Sequence, residues 1–447
     1  MKDTTINMTE GNIVKLIMRF SIPLLIGNIF QQLYNFADSV IVGKFISADA
    51  LAAIGSTASI SFLFFALCNG FASGGGILVS QSFGRGEKNE VKNTIANTGY
   101  VMIIFPFVVG VAALFLSKPI LLLLKTPPEV FDDALVYTRL LCCGILFVSL
   151  YNYVSSMMRA LGDSKTPLYF LIFSCFLNII LDLIFVCVLK KGVAGAGIAT
   201  LISQLISVIL CVLYAVRFNP YFRLKHVDLK INRYILIKTI KLGLPLSLQF
   251  SMIAISCMAL QRVVNAFGPV AVAAFTATSR IEQLIHQPYQ TLSAALATFC
   301  GQNFGAGKND RVIKGYHKTL FMMVIFTLLM LPLIQLFGRQ ITNLFVDEIS
   351  VINMGEKALK ITSLFYIFLG LIYVVRGVLN GLGDSFFALL NGIIEVVGRF
   401  VVPIILVTIP GIGLWGIWWS VGVVWFLSGL TAWMRYKIKK NKILQNN

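Results

Sequence analysis

Apolar stretches alternate with short polar punctuation along nearly the whole 447-residue chain. Twelve of these stretches reach the length of about 20 residues at which a helix crosses the hydrocarbon core of a bilayer. Their cores fall at 14–43, 50–80, 94–117, 133–158, 166–189, 194–217, 236–265, 270–299, 313–337, 356–380, 386–409 and 411–434. A transmembrane barrel would show short strands of alternating polarity instead, and the pattern lacks them. The fold expected is an all-α polytopic membrane protein with twelve transmembrane helices.

The halves repeat. QSFGRG at 81–86 returns as QNFGAG at 302–307, and LGDS at 161–164 returns at 382–385, both at an offset of 221. ALAAIGSTASI at 50–60 matches AVAAFTATSRI at 271–281 in five of eleven positions at the same offset, and Pro23 pairs with Pro245 at 222. One offset in several separated blocks marks a duplication. Six helices per half is an even number, so both halves keep the same orientation. They should be related by a pseudo-two-fold axis along the membrane normal, with a cleft between them. The expected organisation is an N-lobe at 1–217 (helices 1–6), a basic linker at 218–235 and a C-lobe at 236–447 (helices 7–12).

Composition narrows the class. The chain is 57% hydrophobic and only 13% charged, with a mean hydropathy of +0.84. Its formal charge of +18 raises nucleic acid as a partner, but the distribution argues against it. The N-terminus, the turns near 85–92, 159–165, 217–241, 308–318 and 376, and the C-terminus hold 25 Lys and Arg residues. The opposite loops hold eight: Lys44, Lys118, Lys125, Lys190, Lys191, Arg339, Lys357 and Lys360. By the positive-inside rule both termini face the cytoplasm, and the protein is multi-pass in the cell (plasma or inner) membrane, with membrane lipid as its surroundings. The eight cysteines lie in apolar segments without CxxC spacing, so they read as small hydrophobes. MKDTTINMTEGN lacks the apolar core and cleavage site of a signal peptide. No GxxxxGK[ST] loop supports an ATP-driven pump. GGG at 74–76 is expected to serve close helix packing.

Candidate chemistry concentrates in Ser21–Gly43. Gln31, Asn35 and Asp38 fall at i, i+4 and i+7 and so share one helical face, with Tyr34 one turn before Asp38 and a kink expected at Pro23. An ionised carboxyl inside a spanning helix costs ~3 kcal/mol on insertion scales, which makes Asp38 a functional candidate by default.

The Pro-containing first helix with its Asp, QxFGxG after helix 2, RALGDSKTP between helices 4 and 5 and QNFGAG after helix 8 together resemble the MATE (multidrug and toxic compound extrusion) family of antiporters, over nearly the full length. The resemblance implies a two-lobe, twelve-helix fold that alternates between inward and outward openings and exports organic, cationic and amphipathic compounds in exchange for Na+ or H+. In the DinF-type branch the cation site comprises an Asp on helix 1, an Asn and an Asp one turn apart on helix 5, and a Thr on helix 6. Asp38, Asn178, Asp182 and Thr200 match these positions. The acids that the NorM-type branch adds on helices 7 and 10 are absent, although the C-lobe has Glu282 and Glu395.

The four matching residues suit either coupling ion. Two carboxylates with amide and hydroxyl oxygens fit Na+, and the same two carboxyls fit a shared proton. For Asn178 and Thr200 the alternative is hydrogen bonding between helices. The acids are not duplicated: Asp38 maps to Leu260 at offset 222 and Asp182 to Pro403 at 221. Scaffold residues should repeat, so this points to a task confined to the first half. In the second half Glu282 and His286, one turn apart, are cavity candidates, with Met252 and Met258 as apolar ones beside Gln31, Tyr34 and Asn35. Glu395 and Arg399 at i and i+4 are expected to form an intrahelical ion pair. No cofactor beyond the coupling ion, no catalytic group and a monomer are expected. A flippase for lipid-linked oligosaccharides is the rival within transport, disfavoured by twelve rather than fourteen helices. A membrane enzyme or receptor is the rival of another class, disfavoured by the symmetric halves.

Overall fold

The computed structural model describes residues 5–123 and 126–445. Among them are thirteen α-helices. They are α1 (Ile13–Phe45), α2 (Ala48–Arg85), α3 (Lys88–Leu123), α4 (Pro128–Ala160), α5 (Lys165–Asp182), α6 (Gly192–Phe218), α7 (Arg233–Asn265), α8 (Pro269–Gly305), α9 (Asn309–Asn343), α10 (Ile349–Ser363), α11 (Tyr366–Gly381), α12 (Ser385–Thr408) and α13 (Gly416–Gln445).

Ten of these segments are long and apolar enough to cross a membrane singly, and α10 with α11 makes one more as a pair bent by 53°. The polar run Arg280, Glu282, Gln283, His286 and Gln287 keeps α8 below that apolarity despite its 37 residues. Counting α8 gives the twelve spans that the pattern predicts.

The sequence reads 356–380 as one uninterrupted span, whereas the helix starts at Ile349 and breaks at Leu364–Phe365. The break frees backbone carbonyls, and one of them finds a tertiary partner. The Gln335 side-chain amide, on α9, donates to Lys360 O at 2.9 Å and to Ser363 Oγ at 2.9 Å. A bent helix is stable in an apolar interior only where freed polar groups are satisfied in this way. Arg376, counted above with the basic turns, instead lies within α11 and is buried.

The chain divides into two compact units, Met1–Asn7 with Ile22–Leu248 and Met8–Ser21 with Gln249–Asn447. α1 therefore changes unit at Ile22, one residue before Pro23, and α7 at Gln249, four residues after Pro245. A proline removes one helical hydrogen bond and lets the helix turn at that point.

In the first unit α2 is central. Its consecutive glycines point about 100° apart and each meets a different helix. A Cβ at Gly74 would lie 2.7 Å from Gly243 N of α7, one at Gly75 would overlap Thr98 of α3, and one at Gly76 would lie 2.7 Å from Ser156 Oγ of α4. The segment ahead of α7 is tied to α3: Tyr100 donates to Leu229 O at 2.6 Å and Asn97 accepts from Asn232 N at 2.8 Å.

In the second unit α8 packs along α11, where Gly377 and Gly381 admit the α8 backbone. Residues 8–11 are tied to the α8–α9 turn. Gln302 Oε1 accepts from Met8 N at 2.8 Å, Asn303 Nδ2 donates to Met8 O at 3.1 Å, and Lys308 Nζ donates to Thr9 O at 3.1 Å.

The repeated LGDS blocks share a backbone but not a role. Gly162 (φ 88°) and Gly383 (φ 82°) both take the left-handed conformation that closes a helix. Asp163 then accepts from Thr166 N at 3.0 Å and from the Thr166 hydroxyl at 2.6 Å, which caps α5. Asp384 accepts from Arg435 at 2.8 Å and faces Lys439 at 3.5 Å.

Candidate functional site

Three helices of the first unit carry the candidate cation residues. Asn178 and Asp182 stand one turn apart on α5, so both project toward α1 and α6. Asp182 is the last residue before the helix widens. Over Leu183–Val188 the bonds run i to i+5, as in Leu189 N to Ile184 O at 2.8 Å. Such wide turns within α-helices are frequent at functional sites.

Asp38 of α1 and Asp182 lie within hydrogen-bond reach of one another. The side-chain amide of Asn178 donates to Thr200 Oγ1 of α6 at 3.4 Å, and the Tyr34 hydroxyl reaches the same threonine. Asp38 is 8% exposed, Asn178 2% and Asp182 0%. The Asp38 Oδ1 atom is buried with no hydrogen-bond donor on it among the described residues.

Two unit negative charges about 4 Å apart repel by ~4 kcal/mol at an effective dielectric of about 20, before the cost of their desolvation. The pair therefore calls for positive charge, as a proton on one carboxyl or a hard cation among the oxygens. Oxygen donors from two carboxylates, an amide and a hydroxyl fit Na+. Among the described residues no group of three or more His, Cys, Asp or Glu side chains is placed to hold a metal ion.

Tyr137 of α4 completes the surroundings. It is buried against Ile41, Val42, Val193 and Ala196 and lies close enough to Asp38, Tyr34 and Asp182 to act on them electrostatically. Nothing in the sequence marks it, because it sits in an apolar helix like many other tyrosines. Gln31 and Asn35 are exposed, although they share a predicted face with the buried Asp38. Tyr34, half-buried, is the member of that stretch that joins the acids.

The second unit holds its own polar cluster. Glu282 of α8 reaches Thr362 at the end of α10, and Tyr366 at the start of α11 reaches the same threonine. The His286 ring lies edge-on to Trp425 at 5.6 Å and to Tyr373 at 6.3 Å. Met252 packs where α7 meets Gly392 of α12, and the Met258 side chain lies outside the described residues.

The expected Glu395–Arg399 pair does not form. Glu395 accepts from Arg376 of α11 at 2.5 Å, while Arg399 donates to Ser256 Oγ of α7 at 3.1 Å. Arg376 wins because it is buried against the same face and is also held by Asn391, whose Oδ1 accepts its Nε at 2.9 Å and its Nη2 at 2.6 Å.

A bundle of membrane-spanning helices made from two repeated halves, with a buried pair of acids in the first half, defines a polytopic membrane carrier. The chain belongs to the MatE family, whose sequence profile matches residues 23–184 and 245–405. The two matches begin at the paired prolines.

Among relatives, it is 31% identical over 446 residues to "Probable multidrug resistance protein YpnP" of Bacillus subtilis (strain 168), covering 98% of each chain. It is 23% identical over 446 residues to "Multidrug export protein MepA" of Staphylococcus aureus (strain N315), covering 99% of this chain and 98% of that one. Its fold matches a MATE crystallised in complex with MaL6 at a TM-score of 0.91 and 24% identity, over 99% of this chain and 100% of that one. It also matches an outward-facing multidrug resistance MATE family transporter of the MOP superfamily at a TM-score of 0.91 and 23% identity, over 99% of each.

Proposed function

We propose that this chain exports organic, cationic and amphipathic compounds across the cell membrane by antiport with Na+ or H+, without catalysing a chemical reaction. In this reading it works as a monomer with both termini cytoplasmic, and the helices of 1–217 and 236–447 form two lobes joined by 218–235. Family membership and its likeness to proteins named for multidrug resistance and multidrug export support drug export. The observation that carries the coupling is the pair of Asp38 and Asp182, buried beside Asn178 and Thr200 in the first half alone.

Asp38, Asn178, Asp182 and Thr200 would hold the ion, and its charge would offset their mutual repulsion. The protein's part is to keep water away and to make ion and compound favour different arrangements of the helices, so that the binding of one disfavours the other. Pro23 lies on α1 four turns ahead of Asp38, and a change of bend there is the simplest route from ion occupancy to helix position. The proposed contacts for the compound are Gln31, Tyr34 and Asn35 in the first unit, and Met252, Met258, Glu282 and His286 in the second.

Proteoliposomes with a cationic dye, and Na+ and proton gradients imposed separately, test the proposal. One gradient should move dye through the wild type, and Asp38→Asn should reconstitute equally well and move none. Wild-type transport by Asp38→Asn would overturn the assignment.

A further inference from the structure

Helices α9, α11 and α13 leave an apolar groove open at the outer surface of the second unit. Tyr316 and Leu320 line it from α9, Phe368 and Leu371 from α11, and Phe426, Leu430 and Trp433 from α13. Phe426 and Phe368 meet edge-on at 4.9 Å toward one end. At the other end the Lys437 ammonium sits 3.7 Å over the Trp433 ring, and Tyr316 stacks on Tyr436 at 3.9 Å.

The polarity of the groove changes along its length. Phe426, Leu430, Trp433, Lys437 and Lys440 fall at i, i+4, i+7, i+11 and i+14, which is one stripe of α13 about 20 Å long. Three apolar positions are followed by two cations. Lys440 also acts electrostatically on His317, the neighbour of Tyr316. Arg435 and Lys439, on this end of the same helix, point instead at Asp384. The sequence from 435 to 447 contains no acid, so nothing in that segment offsets Lys437 and Lys440.

A single lysine over a tryptophan is ordinary snorkelling at a membrane interface. Here a concave apolar slot leads into a pair of cations, which is the complement of one molecule: a chain with an anion at its end. We propose that this groove binds an anionic phospholipid, with an acyl chain against Leu320, Leu371 and Leu430 and the headgroup phosphate on Lys437 and Lys440. The slot offers a chain apolar contact, and the two lysines supply the preference for charge, as basic residues near bilayers do.

Trp433 reports on the groove directly. The full-length protein is reconstituted in phosphatidylcholine with a fixed fraction of lipid carrying dibrominated chains, either phosphatidylglycerol or phosphatidylcholine. The Trp433 signal is obtained by difference from Trp433→Phe. Brominated phosphatidylglycerol should quench Trp433 as though it bound on the order of 10-fold more strongly than brominated phosphatidylcholine. Lys437→Gln with Lys440→Gln should bring that ratio to about 1, and the corresponding pair of Arg substitutions should keep it. Equal quenching by the two lipids in the wild type, which marks ordinary boundary lipid, would overturn the proposal. So would a ratio that survives the Gln pair, or a Trp433 that neither lipid quenches because protein covers it. The wild-type comparison decides the matter even if a variant fails to fold.

Discussion

Arg376→Met should damage this protein more than Arg376→Met and Glu395→Met together. The two side chains form a buried ion pair at 2.5 Å, with side-chain exposures of 8% and 9%. Asn391 Oδ1 accepts from Arg376 Nε at 2.9 Å, and Asn391 Nδ2 donates to Ser428 O at 3.0 Å. Removing the guanidinium alone leaves the Glu395 carboxylate buried without its counter-charge, a change that costs about 3–5 kcal/mol. Removing the carboxylate alone costs about the same, because it strands the guanidinium.

The double replacement deletes both charges and fills the space with apolar chain. What remains is the loss of two donors at Asn391 Oδ1, worth about 1–3 kcal/mol. Simple addition of the two single changes would predict about 6–10 kcal/mol, so the expected coupling is several kcal/mol of the opposite sign. The assay is the midpoint of heat-induced loss of the monodisperse peak in detergent, at one heating rate because such unfolding is irreversible. Both single variants should fall by roughly 10 °C, with the double variant between them and the wild type. A double variant at or below the sum of the singles would refute the claim that this pair is held by mutual neutralisation.

Asp182→Asn should leave dye binding in place but uncouple it, so that neither a Na+ nor a proton gradient drives uptake into inverted vesicles; gradient-driven uptake at the wild-type rate would remove Asp182 from the coupling site. Gly76→Ala should cost about 1–3 kcal/mol, because the new methyl would sit 2.7 Å from Ser156 Oγ. Ser156→Gly should restore most of that loss, and a Gly76→Ala protein as heat-stable as wild type would show that α2 and α4 can part at no cost. Gln335→Leu should destabilise the second unit by about 0.5–1.5 kcal/mol, because the Lys360 carbonyl at the helix break loses the amide and keeps only the Ser363 hydroxyl, which donates to it at 3.0 Å, read as earlier loss of the monodisperse peak on heating. An unchanged midpoint would mean that the bend satisfies its own backbone.

The sequence by itself determined the twelve spans, the duplication and the acids, because each is written locally. Apolar length alone marks a spanning helix, one offset repeated across separated blocks marks a duplication, and a carboxyl in a hydrophobic run stands out wherever it folds. Asn178 and Asp182 share a face because helical geometry puts i and i+4 together.

Tertiary structure decided what those residues meet. Only packing brings Tyr137 from an unremarkable apolar helix to the acids. It gives Glu395 to Arg376, 19 positions away, rather than to the nearer Arg399, because helix spacing makes a pair possible whereas burial and the added hold of Asn391 select it. The same is true of the break at Leu364–Phe365, which is met by an amide from another helix, and of α1 and α7, whose N-terminal parts belong to the opposite unit from the rest. Local propensity makes a helix in each of these places. Which carbonyl is freed, and which neighbour satisfies it, is set by contacts between residues far apart in the chain, where a single sequence carries no periodic signal.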